Sequence, residues 1–85
     1  MTSSEIESQV REVLALRAKL PVEIHTISST DSLYDAGMTS HATVKLMLGL
    51  EEGFDVEFPD ELLQRSVFDQ VSRIVDAIEK LLNGQ

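Results

Sequence analysis

Three stretches of this chain place apolar residues at helical spacing, separated by polar or turn-forming residues, and that pattern admits little besides a small helical bundle. Ile6, Val10, Val13, Leu14 and Leu20 form the first stripe, which has to stop before Pro21. Leu46, Met47 and Leu50 form the second, with Phe54 closing its end. Phe68, Val71, Ile74, Val75, Ile78 and Leu82 form the third. Phe54-Asp55-Val56-Glu57-Phe58 alternates as a strand does, but no second run is present to pair with it, so it reads as an extended linker. The expected fold is all-α, a bundle of three longer helices and one short one in a single domain spanning 1–85. Helix I is expected over about 4–20, a long loop over 21–39, helix II over about 40–53, a short helix III over about 59–64 and helix IV over about 67–82.

Local signals fill in the boundaries. Thr2, Ser3 and Ser4 all offer N-caps, and Ser4 with Glu7 fits a capping box. Pro59 followed by Asp60 and Glu61 suits the start of helix III. Ser66 is the expected cap of helix IV, and Asn83-Gly84 its C-terminal stop. The polar loop has three large aliphatic anchors, Ile24, Ile27 and Leu33, one aromatic, Tyr34, and an expected helical turn near Ser32.

Eighty-five residues bury one modest core and leave no room for a deep, independently built active-site cleft. The absence of cysteine removes disulfides and thiolate metal sites, and it fits a reducing compartment. No apolar run reaches membrane length, and the start Met1-Thr2-Ser3-Ser4-Glu5 is unlike a signal peptide, so a cytoplasmic protein without a membrane partner is expected. Fifteen acidic residues against seven basic ones give a formal charge of −8, which disfavours nucleic acid and anionic membranes and favours basic protein partners. No Lys or Arg occurs between Leu46 and Gln64, where Glu51, Glu52, Asp55, Glu57, Asp60 and Glu61 are all acidic. That run is either a solvated face or a docking patch whose steering weakens at physiological salt, where the Debye length is about 8 Å.

One turn stands out, Asp35-Ala36-Gly37-Met38-Thr39-Ser40, which delivers a serine to the start of helix II. An exposed hydroxyl there would sit beside unpaired backbone N–H groups and the positive end of the helix dipole, a good place to hold a phosphate. A lone serine in that position serves equally as an N-cap. Val44 and Leu48 follow Ser40 at i+4 and i+8 and share its face, as part of a wide core face or, the favoured alternative, as a contact surface for partners. Ser40, His41 and Asp35 do not make a hydrolase: adjacent helical residues point about 100° apart, and the Gly-x-Ser-x-Gly elbow is missing. Asp55, Glu57, Asp60 and Glu61 fit no calcium-loop register because Pro59 interrupts them, so no metal site is expected. His25 reads as a solvated loop residue.

Gly37-Met38-Thr39-Ser40-His41, with Asp35 two residues before the glycine, resembles the Gly-[Leu/Met/His]-[Asp/x]-Ser-Leu signature of acyl and peptidyl carrier proteins. The acidic, Phe-containing run from Leu50 to Glu61 with Pro59 near its end, and the Phe-led terminal helix, follow in the order of that family, so the resemblance covers most of the chain. It implies a four-helix carrier bundle, monomeric when free, whose Ser40 hydroxyl is modified with 4′-phosphopantetheine from coenzyme A by a separate, magnesium-dependent phosphopantetheinyl transferase. It further implies that the arm's thiol holds an acyl or aminoacyl group as a thioester, loaded by an activating ligase and passed to a downstream acyl-using enzyme. The carrier itself catalyses nothing, and the thiol comes from the cofactor, so a protein without cysteine can serve. Thr39-Ser40-His41 departs from the Asp-Ser-Leu usual in fatty-acid carriers, and Lys45 stands where those carriers are commonly acidic. Both departures fall on the expected contact surface, for which Met38, Thr39, His41, Val44, Lys45 and Leu48 are the candidates, and they weigh against docking to a standard fatty-acid synthase. Thr-Ser here resembles small free-standing carriers, some loaded with amino acids by ATP-dependent, truncated synthetase-like ligases. An amino acid is therefore the favoured cargo, a fatty-acyl or polyketide acyl group the alternative, and an unmodified helical interaction module the further one.

Overall fold

A computed structural model describes residues 1–84. The first helix, α1, spans Ser3–Val13 and continues as a π-helical stretch over Leu14–Ala18. Thr2 caps it: its hydroxyl accepts from the Glu5 N–H at 3.1 Å, and the Glu5 carboxylate accepts from the Thr2 N–H at 2.9 Å. These bonds hold the Glu5 carboxyl below its ordinary titration range, the Thr2 backbone donor first and its side chain second. The reciprocal box thus forms at Thr2 and Glu5, two residues before the expected Ser4 and Glu7, because Glu7 is engaged by Arg11 one turn on, at 3.0 Å. Lys19, in the left-handed region at φ 50°, ends the helix by donating its N–H to the Leu14 carbonyl at 3.2 Å.

The long loop is pinned from two sides. Ile24, Ile27 and Leu33 are buried, and Arg11 Nη1 donates to the carbonyls of Ile24 and Ile27 at 2.7 and 2.8 Å. A 3-10 turn covers Ile24–Thr26. Further on, the Ala36 N–H donates to the Ser32 carbonyl at 3.1 Å while Ser32 Oγ accepts from the Asp35 N–H at 3.2 Å, closing a turn that starts at Ser32.

The second helix, α2, spans Ser40–Phe54 and buries Ala42, Leu46, Gly49, Leu50 and Phe54; Met47, expected inward, is half-buried at the edge. A Cβ on Gly49 would lie 2.8 Å from Val13 Cγ1 and 2.9 Å from Arg17 Cγ, so the approach of α1 to α2 depends on that missing side chain. Asp55 at φ 54° terminates the helix, and the Glu51 carboxylate turns back to accept the Phe58 N–H at 2.9 Å. Residues 56–59 hold no regular secondary structure, with Pro59 extended, and no strand occurs among the described residues.

The C-terminal third differs from expectation in register. Residues 59–64 hold only a 3-10 turn, Asp60–Leu62; the short helix, α3, follows at Arg65–Phe68 and contains Ser66, the expected cap of helix IV. The last helix, α4, spans Val71–Leu82 behind Gln70, a few residues later than expected. Tertiary contacts set this break. Phe68 turns into the core against Phe58, with ring centroids 5.4 Å apart, and Asp69 is tied to the loop, its carbonyl accepting the Leu33 N–H at 2.6 Å and its carboxylate the Ser32 hydroxyl at 2.7 Å. Leu82, placed inward by its spacing, is 40% exposed, one turn beyond Ile78, the last α4 residue fully in the core. Gly84 follows in the left-handed region at φ 76°.

Helix α1 packs on α4 and on α2, and α3 packs on α4. The core among the described residues is wholly apolar, with no buried polar side chain lacking a partner. None of the described helices is long and apolar enough to cross a membrane.

Candidate functional site

The turn before α2 is built to present one residue. Gly37 sits at φ 114°, and a Cβ there would lie 2.9 Å from Pro21 Cδ, so both its backbone angle and its packing require glycine. Leu33 and Met38 plug the two ends of the turn into the core, 0% and 4% exposed, and the Met38 N–H donates to the Leu33 carbonyl at 3.0 Å. Met38 is therefore an anchor under the turn and not a surface contact, which corrects its place among the partner-contact candidates. An apolar side chain directly after the left-handed glycine has the core beneath it.

Thr39, and not Ser40, takes the capping role: its Oγ1 accepts from the Ala42 N–H at 3.0 Å. Ser40 is the first helical residue, exposed, with a hydroxyl that makes no hydrogen bond among the described residues. The N–H groups of Ser40 and His41 point out of the first turn without a partner among those residues. The helix dipole adds partial positive charge at the same end.

Thr39, His41, Val44, Lys45 and Leu48 surround Ser40 on the outer side of α2, all exposed. Val44 and Leu48 keep 52% and 46% of their surface open despite their apolar character. Beside Ser40 a groove of about 370 Å³ opens between α2 and α3, walled by Val44, Met47, Leu63 and Phe68. Tyr34 and Arg65 border it, with the Arg65 guanidinium carbon 4.0 Å from the Tyr34 ring centroid. The Thr43 hydroxyl has two acceptors within reach, the Thr39 carbonyl at 2.9 Å and the Tyr34 hydroxyl oxygen at 3.2 Å, between which its single proton is shared. Of the groove residues, sequence reasoning singled out Ser40 and Val44 and missed Tyr34, Thr43 and Arg65. Thr43, one turn after Ser40, was accessible by helical spacing; Tyr34 and Arg65 reach the groove only through the fold.

The acidic stretch is not uniform. Glu51 serves the Phe58 N–H and Glu52 pairs with Arg17 at 3.1 Å, while Asp55, Glu57, Asp60 and Glu61 are exposed. No group of three His, Asp or Glu residues suited to a metal ion occurs among the described residues. His25 is exposed beside a wider, open depression of about 600 Å³ formed largely by α1 and α4, which shares no residue with the Ser40 surroundings.

Residues 8–81 match the family described as the phosphopantetheine attachment site. The chain belongs to that family. It is 44% identical over 80 residues to an aminoacyl carrier protein of Agrobacterium fabrum, covering 94% of this chain and 96% of the relative. It is 33% identical over 82 residues to an acyl carrier protein of Akkermansia muciniphila, covering 95% and 98%. Among solved structures it resembles, at TM-score 0.84 and 44% identity over 87% of this chain and 96% of the other, a crystal structure of an engineered Bradyrhizobium japonicum glycine:[carrier protein] ligase complexed with carrier protein from Agrobacterium tumefaciens and ATP. A solution structure from Agrobacterium tumefaciens matches at TM-score 0.75 and 45% identity over 92% and 94%. The protein is thus a non-catalytic carrier of the acyl and aminoacyl type, with covalently attached 4′-phosphopantetheine as its cofactor. The Ser40 end of α2 fits that group: a free primary hydroxyl, unpartnered N–H donors and a groove leading away from the oxygen.

Proposed function

We propose that Ser40 bears the phosphopantetheine arm and that the chain carries an amino acid on it between a loading ligase and a receiving enzyme. The observation that carries this reading is the division of labour at the start of α2, where Thr39 caps the helix and leaves the exposed Ser40 hydroxyl uncommitted. When attached, the arm supplies a thiol on which the cargo is held as a thioester. Ser40 Oγ is the nucleophile that would attack the pantetheine-side phosphorus of coenzyme A in a phosphopantetheinyl transferase; the phosphoanhydride bond would break, adenosine 3′,5′-bisphosphate would leave, and the hydroxyl proton would pass to that enzyme. The N–H groups of Ser40 and His41 and the dipole of α2 then face a permanent negative charge, an interaction worth about 0.3–1 kcal/mol at an exposed helix end. That magnitude orients the phosphate and drives no chemistry.

Gly37, Leu33 and Met38 fix the turn, so the attachment point is rigid while the cargo end is free. Thr39, His41, Val44, Lys45 and Leu48 form the surface that transferase, ligase and receiving enzyme contact in succession. With Lys45 exposed and no acid in its first turn, this face of α2 is less acidic than the chain as a whole, which suits a partner that does not present a basic docking groove. An amino acid as cargo is supported by the likeness to the aminoacyl carrier protein and to the carrier held by a glycine ligase. A fatty-acyl cargo is the second reading, favoured by the apolar groove beside Ser40. The protein is expected to work as a monomer in the cytoplasm.

The test is to incubate the phosphopantetheinylated protein with an extract of its host, ATP and a mixture of amino acids and fatty acids, and to weigh the intact product. An added aminoacyl mass is expected. An added fatty-acyl mass, with no aminoacyl species, overturns the cargo assignment.

A further inference from the structure

The groove beside Ser40 differs in charge from the rest of this acidic protein. The chain has fifteen acidic and seven basic residues, yet none of the described residues lining the groove is Asp or Glu, and Arg65 is the one cation there. Arg65 is exposed and lies over the Tyr34 ring, 4.0 Å from its centroid. The ion pairs among the described residues are Arg11–Glu7 and Arg17–Glu52, so no described carboxylate neutralises Arg65. Tyr34 is held in turn by Thr43, one helical turn from Ser40, which fixes the platform on which the guanidinium rests. The ring face that would attract an ammonium is already occupied. Around this charge stand Met47, Leu63 and Phe68, and apolar walls screen a like charge less than open water does.

An amino acid joined through its carboxyl keeps its α-ammonium and is a cation at neutral pH. We propose that Arg65 is a specificity-determining residue of the groove: it keeps a cationic aminoacyl group out in solvent and admits an uncharged acyl group. The consequence is a cargo whose amino group stays open to the receiving enzyme, while a wrongly loaded neutral acyl chain folds back beside α2 and is withheld. The inference rests on the aminoacyl reading of the cargo and names the residue that sorts it.

The test uses the full chain modified at Ser40 by a phosphopantetheinyl transferase with coenzyme A analogues carrying amide-linked glycyl, glycolyl or propionyl groups. These three are nearly equal in size, and only glycyl is charged. Tyr34 is the sole tyrosine and the chain has no tryptophan, so ultraviolet emission reports on the groove wall, with the Met47 and Phe68 amide resonances as a second readout. Relative to the unloaded arm, glycolyl and propionyl are expected to shift these signals about two- to fivefold more than glycyl, taking the repulsion to be as large as the attraction in an exposed ion pair. Arg65→Gln should narrow the gap and Arg65→Glu should close or reverse it, without loss of fold because the side chain is exposed. Equal shifts from glycyl and glycolyl, a gap that survives Arg65→Glu, or no shift from any arm overturns the proposal. Because no amino acid ligase is used, failure of aminoacyl loading in the preceding experiment would sink the cargo assignment separately and leave this measurement readable.

Discussion

The inner side of α2 buries Ala42, Leu46, Gly49 and Leu50, with Gly49 so close to α1 that a single added carbon would collide with Val13 and Arg17; the outer side leaves Ser40, His41, Val44, Lys45 and Leu48 exposed. One fifteen-residue helix therefore divides its work by direction. Inner positions fix where the helix lies, and outer positions are free to differ from what stability alone would choose. Two half-open aliphatic side chains and an uncommitted serine hydroxyl contribute little to the fold, so they are free to serve a partner.

That contrast breaks first at Leu46, which is fully buried. Leu46→Ala should lower unfolding free energy by about 2–5 kcal/mol in a denaturant titration, a large share of a small domain's stability. Arm attachment to the molecules that remain folded should be unchanged; a cost below about 1 kcal/mol would mean that the inner side does not hold the helix. Arg11→Met should cost about 2–3 kcal/mol, since two carbonyls of the loop lose a charged donor. Amide exchange would quicken around Ile24–Ile27 before it does in α2, and uniform loss of protection would remove Arg11 as the loop's clamp. Gly49→Ala combines a gain in helix propensity of about 1 kcal/mol with a clash against Val13 and Arg17, for a net loss of about 1–2 kcal/mol. A stabilised variant would show that α1 can yield there.

On the outer side the sign of the experiment changes. Val44→Asp and Leu48→Asp should leave stability within about 0.5 kcal/mol and cut ligase loading by about tenfold or more. Asp76→Arg, exposed on α4, serves as the far-side control, preferable to Glu79, whose carboxylate accepts the Ser3 hydroxyl at 2.6 Å. Equal losses at Asp76 and at Leu48 would dissolve the distinction between the faces. The smallest effect belongs to Glu5. Its carboxyl titrates lower folded than unfolded, so it adds stability above the unfolded pKa, and that contribution disappears as pH falls through the folded value. Glu5→Gln should flatten this part of the acid limb in a pH series of melts and leave arm attachment untouched.

The residues that sequence placed well are those whose neighbours are local. The aliphatic stripes of α1, α2 and α4 follow from spacing except at Met47 and Leu82, and Ile24, Ile27 and Leu33 stand out as large anchors in a polar stretch. Where partners come from afar, the reading slipped. Met38 sits in a motif whose neighbours face solvent, and only the fold shows the core beneath it. The short helix moved to Arg65–Phe68 because Phe58 and Asp69 decide its register across the molecule. Arg11 looks like one more surface cation until the carbonyls of Ile24 and Ile27 are seen to converge on it. Arg65 and Tyr34, thirty-one positions apart, meet only because α3 packs beside the turn that leads to Ser40.

Intact-mass measurement of the wild-type chain and of Ser40→Ala after incubation with coenzyme A, magnesium and a broad-specificity phosphopantetheinyl transferase goes to the centre of this account. The wild type should gain one phosphopantetheine adduct and the variant none, with identical circular dichroism. An adduct that persists in Ser40→Ala, or a wild type that stays unmodified with several active transferases, would contradict it.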